Sequence, residues 1–142
     1  MLGCSALTDL GDLRGEAQDA TTDASAPLSI ACAGKTCDPT SSVCCATCDA
    51  SPPCALACAD PSATCSVVFA CSSPGSCDGG LCCGSMHDGY FHGSECHSLA
   101  ECNALEAPVV FLCDPNASTC DAGTSCREMG SAYPSMYTCQ PP

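Results

Sequence analysis

The chain has 142 residues, but Leu, Ile, Val and Phe together number only 19 and Trp is absent, so a conventional hydrophobic core is excluded. Its 19 cysteines must supply order by covalent closure, and disulfides at that density require an oxidising compartment. Three basic residues against 16 acidic ones leave a net charge of −13, which excludes nucleic acid and anionic lipid headgroups as partners.

In chain order, Met1-Leu2-Gly3-Cys4 comes first. A small residue before a cysteine, with apolar residues ahead, resembles the end of a bacterial lipobox. That resemblance implies a lipid on Cys4 and, with Ser5 rather than Asp following, sorting to the outer membrane. No positively charged or long apolar run precedes it, so it reads as a lipobox remnant. Residues 5–27 hold five acidic residues, one Arg and many Ala, Thr, Ser and Gly, the composition of a flexible, self-repelling tether. No stretch of about 20 apolar residues follows, so no spanning helix is expected.

The remaining chain divides into cysteine-rich units at 28–65, 66–102 and 107–142. Each opens with an apolar run ending in cysteine: Leu28-Ser29-Ile30-Ala31-Cys32, Val67-Val68-Phe69-Ala70-Cys71 and Val109-Val110-Phe111-Leu112-Cys113. These runs predict short strands, and the Gly, Pro, Asp and Ser spacers after them predict turns and hairpins. Twelve residues separate Cys45 from Cys58, Cys83 from Cys96 and Cys126 from Cys139, and this spacing recurs at a period of about 40 residues, which marks an array of small units. In unit two, Ser98 and Glu101 form a capping-box pattern that predicts one short helix over about 98–107, stopped by Pro108. The fold class is therefore small and disulfide-rich: three tandem minidomains of short strands and hairpins with one short helix.

Unit one has eight cysteines, unit two six and unit three four, so each can close on itself and Cys4 is left over. Aligned on the twelve-residue spacing, unit three has Ser125 where unit two has Cys82, and it ends before an equivalent of Cys102. Their joint loss pairs Cys82 with Cys102 and, by alignment, Cys44 with Cys65. Cys48 and Cys54, both inside the spacer of unit one, pair with each other. The remaining four cysteines of each unit have three possible pairings.

The C…C…CC…C…C order is similar to cystine-knot miniproteins and to colipase/Dickkopf-type modules. That resemblance implies first–fourth and second–fifth pairing: Cys32–Cys45, Cys37–Cys58, Cys71–Cys83, Cys77–Cys96, Cys113–Cys126 and Cys120–Cys139. Lipobox, acidic tether and tandem C-x5-C-x4-CC modules together resemble the cysteine-rich lipoproteins abundant in myxobacteria.

No nucleophile–base pattern, P-loop, HExxH or EF-hand loop occurs, so no catalytic residue and no cofactor is assigned and the chain reads as no enzyme. Cys45-Ala46-Thr47-Cys48 lacks the βα context of a redox motif and reads as structural cystine. The spacer of unit two gathers His87, Asp88, Tyr90, Phe91 and His92, with His97 beyond. These histidines and Asp88 are weak candidates for Zn or Cu, because a spacing of five suits neither a helix face nor a zinc finger. Tyr90 and Phe91, echoed by Tyr133 and Tyr137 in unit three, are the expected exposed binding residues. The expected function is a surface-anchored, non-enzymatic interaction or adhesion module, exported to the outer membrane or cell surface or beyond it. It would meet a protein or a glycan and touch the membrane only through a lipid on Cys4. A knottin-like inhibitor or toxin-like array and a metal-sequestering protein are the alternatives.

Overall fold

Apolar runs too short to bury themselves must pair with whatever edge lies nearest, and that requirement organises the molecule. The computed structural model describes residues 28–49, 51–105, 108–117 and 120–142, so Cys4 and the 5–27 tether lie outside it. The strands are β1 (Ile30–Cys32), β2 (Lys35–Cys37), β3 (Val43–Thr47), β4 (Ala55–Ala59), β5 (Val67–Phe69), β6 (Leu81–His87), β7 (Tyr90–His97), β8 (Val109–Phe111), β9 (Ser125–Glu128) and β10 (Tyr137–Gln140). The helix α1 covers Leu99–Ala104.

Each unit contributes a hairpin to a common plan, β3–β4, β6–β7 and β9–β10, all antiparallel, and unit one adds a second, β1–β2. The opening strand of the next unit then adds to the first strand of that hairpin. β5 pairs antiparallel with β3, with the Ser66 N–H donating to the Ala46 carbonyl at 2.8 Å. β8 does the same on β6, with the Leu112 N–H donating to the Cys82 carbonyl at 2.9 Å. Each opening strand also touches the second strand of its own hairpin. Phe69 pairs in parallel with Ser94 of β7, and Leu112 forms a bridge to Thr138 of β10. The result is one six-stranded sheet in the order β4-β3-β5-β7-β6-β8, continued by β10–β9 through that last bridge. The three expected minidomains are thus laced through a shared sheet.

Unit one has no preceding hairpin for its opening strand. Its β1 folds back on its own β2 instead. The far edge of β1 is held by unit two: Ser72 Oγ accepts from the Ala31 N–H at 2.8 Å, and Ser76 Oγ donates to the Ser29 carbonyl at 2.7 Å. Both serines are buried, so these bonds satisfy groups that would otherwise be costly to bury.

The helix is shorter than expected. Ser98 caps it in a full capping box with Glu101, but Leu105 is already extended and its N–H donates to the Cys102 carbonyl in a final tight turn. The chain therefore leaves the helix before Pro108 is reached, and residues 106–107 lie outside the described structure.

The interior is as much sulfur as hydrocarbon. Seven of the fourteen residues in the buried cluster are cysteines; Ile30, Ala46, Val67, Phe69, Phe91, Leu112 and Met136 complete it. Phe69 stacks on Phe91 at 5.3 Å, and Tyr133 meets both rings edge-on at 5.7 and 6.2 Å. These three aromatic residues come from units two and three, with Ile30 from unit one in the same cluster, so the core belongs to no single unit.

Nine disulfides close the described chain. Cys37–Cys58, Cys48–Cys54, Cys77–Cys96, Cys113–Cys126 and Cys120–Cys139 join the pairs expected from the sequence. The other four do not. The structure has Cys32–Cys44 and Cys45–Cys65 in place of Cys32–Cys45 and Cys44–Cys65. It has Cys71–Cys82 and Cys83–Cys102 in place of Cys71–Cys83 and Cys82–Cys102. The connectivity is first–third, second–fifth, fourth–sixth, not that of the cystine-knot and colipase/Dickkopf families.

Strand geometry explains the exchange. Successive residues on a strand point to opposite faces, so the two members of a vicinal pair have different neighbours. Cys44 and Cys82 lie opposite Cys58 and Cys96, as Cys126 lies opposite Cys139. Cys126 is therefore the counterpart of the first member of each pair, and the second member is replaced in unit three by Arg127. The equal twelve-residue spacings had placed the units one residue out of register.

Candidate interaction site

The tip of the β6–β7 hairpin is set by a two-residue turn, Asp88–Gly89, with φ of 51° and 80°. Both residues need positive φ in such a turn, which suits Asp-Gly. The turn places Tyr90, Phe91 and His92 at the start of β7, and alternation sends them to opposite faces. Phe91 is 3% exposed and packs in the core, which corrects its assignment as an exposed binding residue. Tyr90 is 73% exposed.

Beside Tyr90 lies a cleft of about 510 Å³ to which all three units contribute. Unit one supplies Asp49, Pro52 and Cys54, unit two Val67, Tyr90 and His92, and unit three Tyr133. Three local constraints hold its walls. The Cys48–Cys54 bridge closes the loop that carries Pro52. The Cys54 N–H donates to the Ala132 carbonyl at 2.9 Å, fastening unit three onto unit one. Glu128 Oε1 accepts from the Ser135 N–H at 2.9 Å, shaping the loop that presents Tyr133. Tyr133 is half-buried, and that burial pushes its phenol above the usual range, leaving a neutral hydroxyl at the cleft wall. No Lys or Arg lines the cleft.

Tyr137, the fourth expected binding residue, lies elsewhere. It lines a separate cleft of about 480 Å³ with Ser29, Ala31, Ser72 and Asn116. Tyr133 and Tyr137 are close in sequence, but the β9–β10 hairpin separates them: Tyr133 sits in its connecting loop and Tyr137 within β10. Pro52 and Asp49 were missed from the sequence, since nothing local ties the spacer of unit one to the aromatic residues of the other two units.

The three histidines do not form one cluster. His87 and His92 face each other with ring centroids 5.8 Å apart. His87 Nε2 is 3.8 Å from the Asp88 carboxylate. His97, at the far end of β7, sits 3.6 Å from the Glu95 carboxylate. Among the described residues, sets of three possible metal ligands occur only as cysteines: Cys32, Cys37 and Cys58; Cys71, Cys77 and Cys96; Cys113, Cys120 and Cys126. All of these sulfurs are consumed in disulfides. Among the described residues thiolate sequestration has no ligands, because a bridged sulfur carries no thiolate. Cys45 and Cys48 bond to different partners, so the C-x-x-C is not a redox pair.

The acids with depressed pKa values serve turns. Asp38 and Asp60 are held below the usual carboxylate range by the hydroxyls and backbone N–H groups of Thr40 and Ser62. Glu101 is held down mainly by the Ser98 N–H of the helix cap.

No family model, no curated protein and no solved structure matches the chain. The site must be read from its own chemistry.

Proposed function

We propose that the chain is an exported, non-enzymatic interaction module that binds a protein or glycan partner through the cleft between Tyr90, Tyr133 and Pro52. Nine disulfides fit an oxidising, extracellular setting. Among the described residues no helix is long and apolar enough to cross a membrane. In this reading a lipid on Cys4 anchors the chain at the cell surface and residues 5–27 carry the folded part away from it.

The observation that supports the cleft is the exposure of Tyr90 on a frame of three fastened loops. A large, amphipathic side chain held on a rigid scaffold loses little entropy on binding, which is why such residues anchor interfaces. The test is binding of the labelled, oxidised chain to intact cells and to a glycan array, compared with Tyr90→Ala. The variant is expected to lose at least tenfold in affinity while keeping all its bridges by intact mass. Equal binding by both proteins would move the partner surface away from the cleft.

A further inference from the structure

We propose that His87 and His92 form a divalent transition-metal site at the tip of the β6–β7 hairpin, with Cu(II) bound in preference to Zn(II). A spacing of five residues looks unsuited to chelation when it is judged against a helix. Across a two-residue turn it has another meaning. His87 pairs directly with Tyr90 on the opposite strand. His92 is two residues beyond Tyr90 and so lies on the same face, which makes His87 and His92 diagonal neighbours.

Their ring centroids are 5.8 Å apart, with the planes inclined by 50°. Two imidazoles bound to one ion at about 2.0–2.1 Å place their centroids roughly 4.5–6.5 Å apart. The pair therefore needs only side-chain rotation to close on a metal. The parity is locked from below, because Met86 and Phe91, paired across the same hairpin, point the other way and Phe91 is fixed in the core.

Only two protein nitrogens meet at this point, and the Asp88 carboxylate stands 3.8 Å from His87. Among the described residues no set of three unbridged ligands surrounds a common centre. The site is therefore an open, partly hydrated one rather than a closed structural zinc centre. Imidazole nitrogen suits copper and zinc, and divalent affinities peak at copper. In an oxidising compartment copper is presented as Cu(II). The net charge of −13 raises the local concentration of any cation. Tyr90 lies beside both histidines, so with no Trp in the chain quenching of the tyrosine emission, to which Tyr90 contributes as one of three tyrosines, follows the ion.

The oxidised full chain is titrated with Cu(II) and with Zn(II), followed by tyrosine fluorescence, calorimetry and electron paramagnetic resonance. One Cu(II) per chain is expected, with hyperfine coupling to two imidazole nitrogens and at least tenfold weaker binding of Zn(II). His87→Gln and His92→Gln should each weaken Cu(II) at least tenfold, and His97→Gln should leave it unchanged. Both tested histidines are exposed at the hairpin tip, so the variants keep the fold, checked by unchanged bridge number in intact mass. Absence of saturable binding, or a loss confined to His97→Gln, overturns the proposal. Failure of the copper titration would leave binding through the Tyr90 cleft untouched, and failure of Tyr90→Ala to affect partner binding would leave the metal site untouched.

Discussion

Gly93 sits where three strands crowd together. Its φ is 115°, and a Cβ there would lie 2.5 Å from the Val68 carbonyl of β5. Across the hairpin, a Cβ on Gly84 would run into the Gly93 carbonyl and the Phe91 ring. Gly93→Ala combines backbone strain with overpacking, and a loss of about 2–4 kcal/mol is expected. Denaturant unfolding of the oxidised protein measures it, and a midpoint equal to that of the parent chain would show that the β5–β7 seam yields freely. The same scale explains why the disulfide partners were half legible. Pairing Cys102 with Cys82 names the wrong member of the vicinal pair, since the structure joins Cys83 to Cys102. Spacing along the chain aligns Ser125 with Cys82, whereas pairing across the hairpin aligns Cys126 with Cys82 and puts Arg127 at the place of Cys83. Strand parity, not spacing, chooses between Cys44 and Cys45 and between Cys82 and Cys83. It also reversed the reading of Phe91, which is core because Tyr90 is not.

At the scale of single elements, α1 depends on its cap and so on pH. The carboxylate of Glu101 is depressed below its ordinary value of 4.5 by the Ser98 N–H. A group with a lowered folded pKa contributes its stability above the unfolded value and loses it as pH falls through the folded one. Amide exchange of residues 99–104 is therefore expected to accelerate as pH falls below about 4.5, after correction for intrinsic rates, and Glu101→Gln should abolish that dependence. The lacing strands make a second expectation. Leu112 faces β6 with its N–H, so Val110, two residues earlier, faces the same edge. Val110→Pro removes a ladder donor and should cost about 1–3 kcal/mol. The readout is proteolysis between units two and three with every bridge intact; resistance equal to the parent would mean that β8 pairing contributes little. The strand identities of β5 and β8 could be read from the Val-Val-Phe runs, but not their partners. Addition to the preceding hairpin is a tertiary choice that no local pattern encodes. By the same repeat, β9 is a hairpin edge with no following strand among the described residues, and its Arg127 and Glu128 charge that edge against unintended pairing.

The whole molecule trades apolar burial for covalent closure. Removing Cys83–Cys102 by paired Cys→Ser substitution opens a loop of separation 19 and should cost about 3 kcal/mol, on the chain-entropy account. Unit three lacks this bridge and is instead held by β8, by the Leu112–Thr138 bridge and by the Cys54–Ala132 hydrogen bond. Denaturant titration checks the loss, and a change well under 1 kcal/mol would mean that lacing alone holds unit two. The aromatic cleft follows from the same arrangement. Its residues come from loops far apart in sequence, which is why only the tyrosines could be picked out beforehand and not the wall that Asp49 and Pro52 build beside them.

The vicinal cysteines have a mechanical meaning. A pull applied at the two ends of unit one enters at Cys32, crosses to Cys44, passes one peptide bond to Cys45 and leaves at Cys65. In unit two the route is Cys71, Cys82, Cys83 and Cys102. Tension thus bypasses nearly every residue of both units, and what can pay out between these two covalent blocks is the segment 66–70. Units one and two would behave under load as two short inextensible links joined through one brief segment, with the tip of the β6–β7 hairpin, His87, Tyr90 and His92 among its residues, carried outside the line of force.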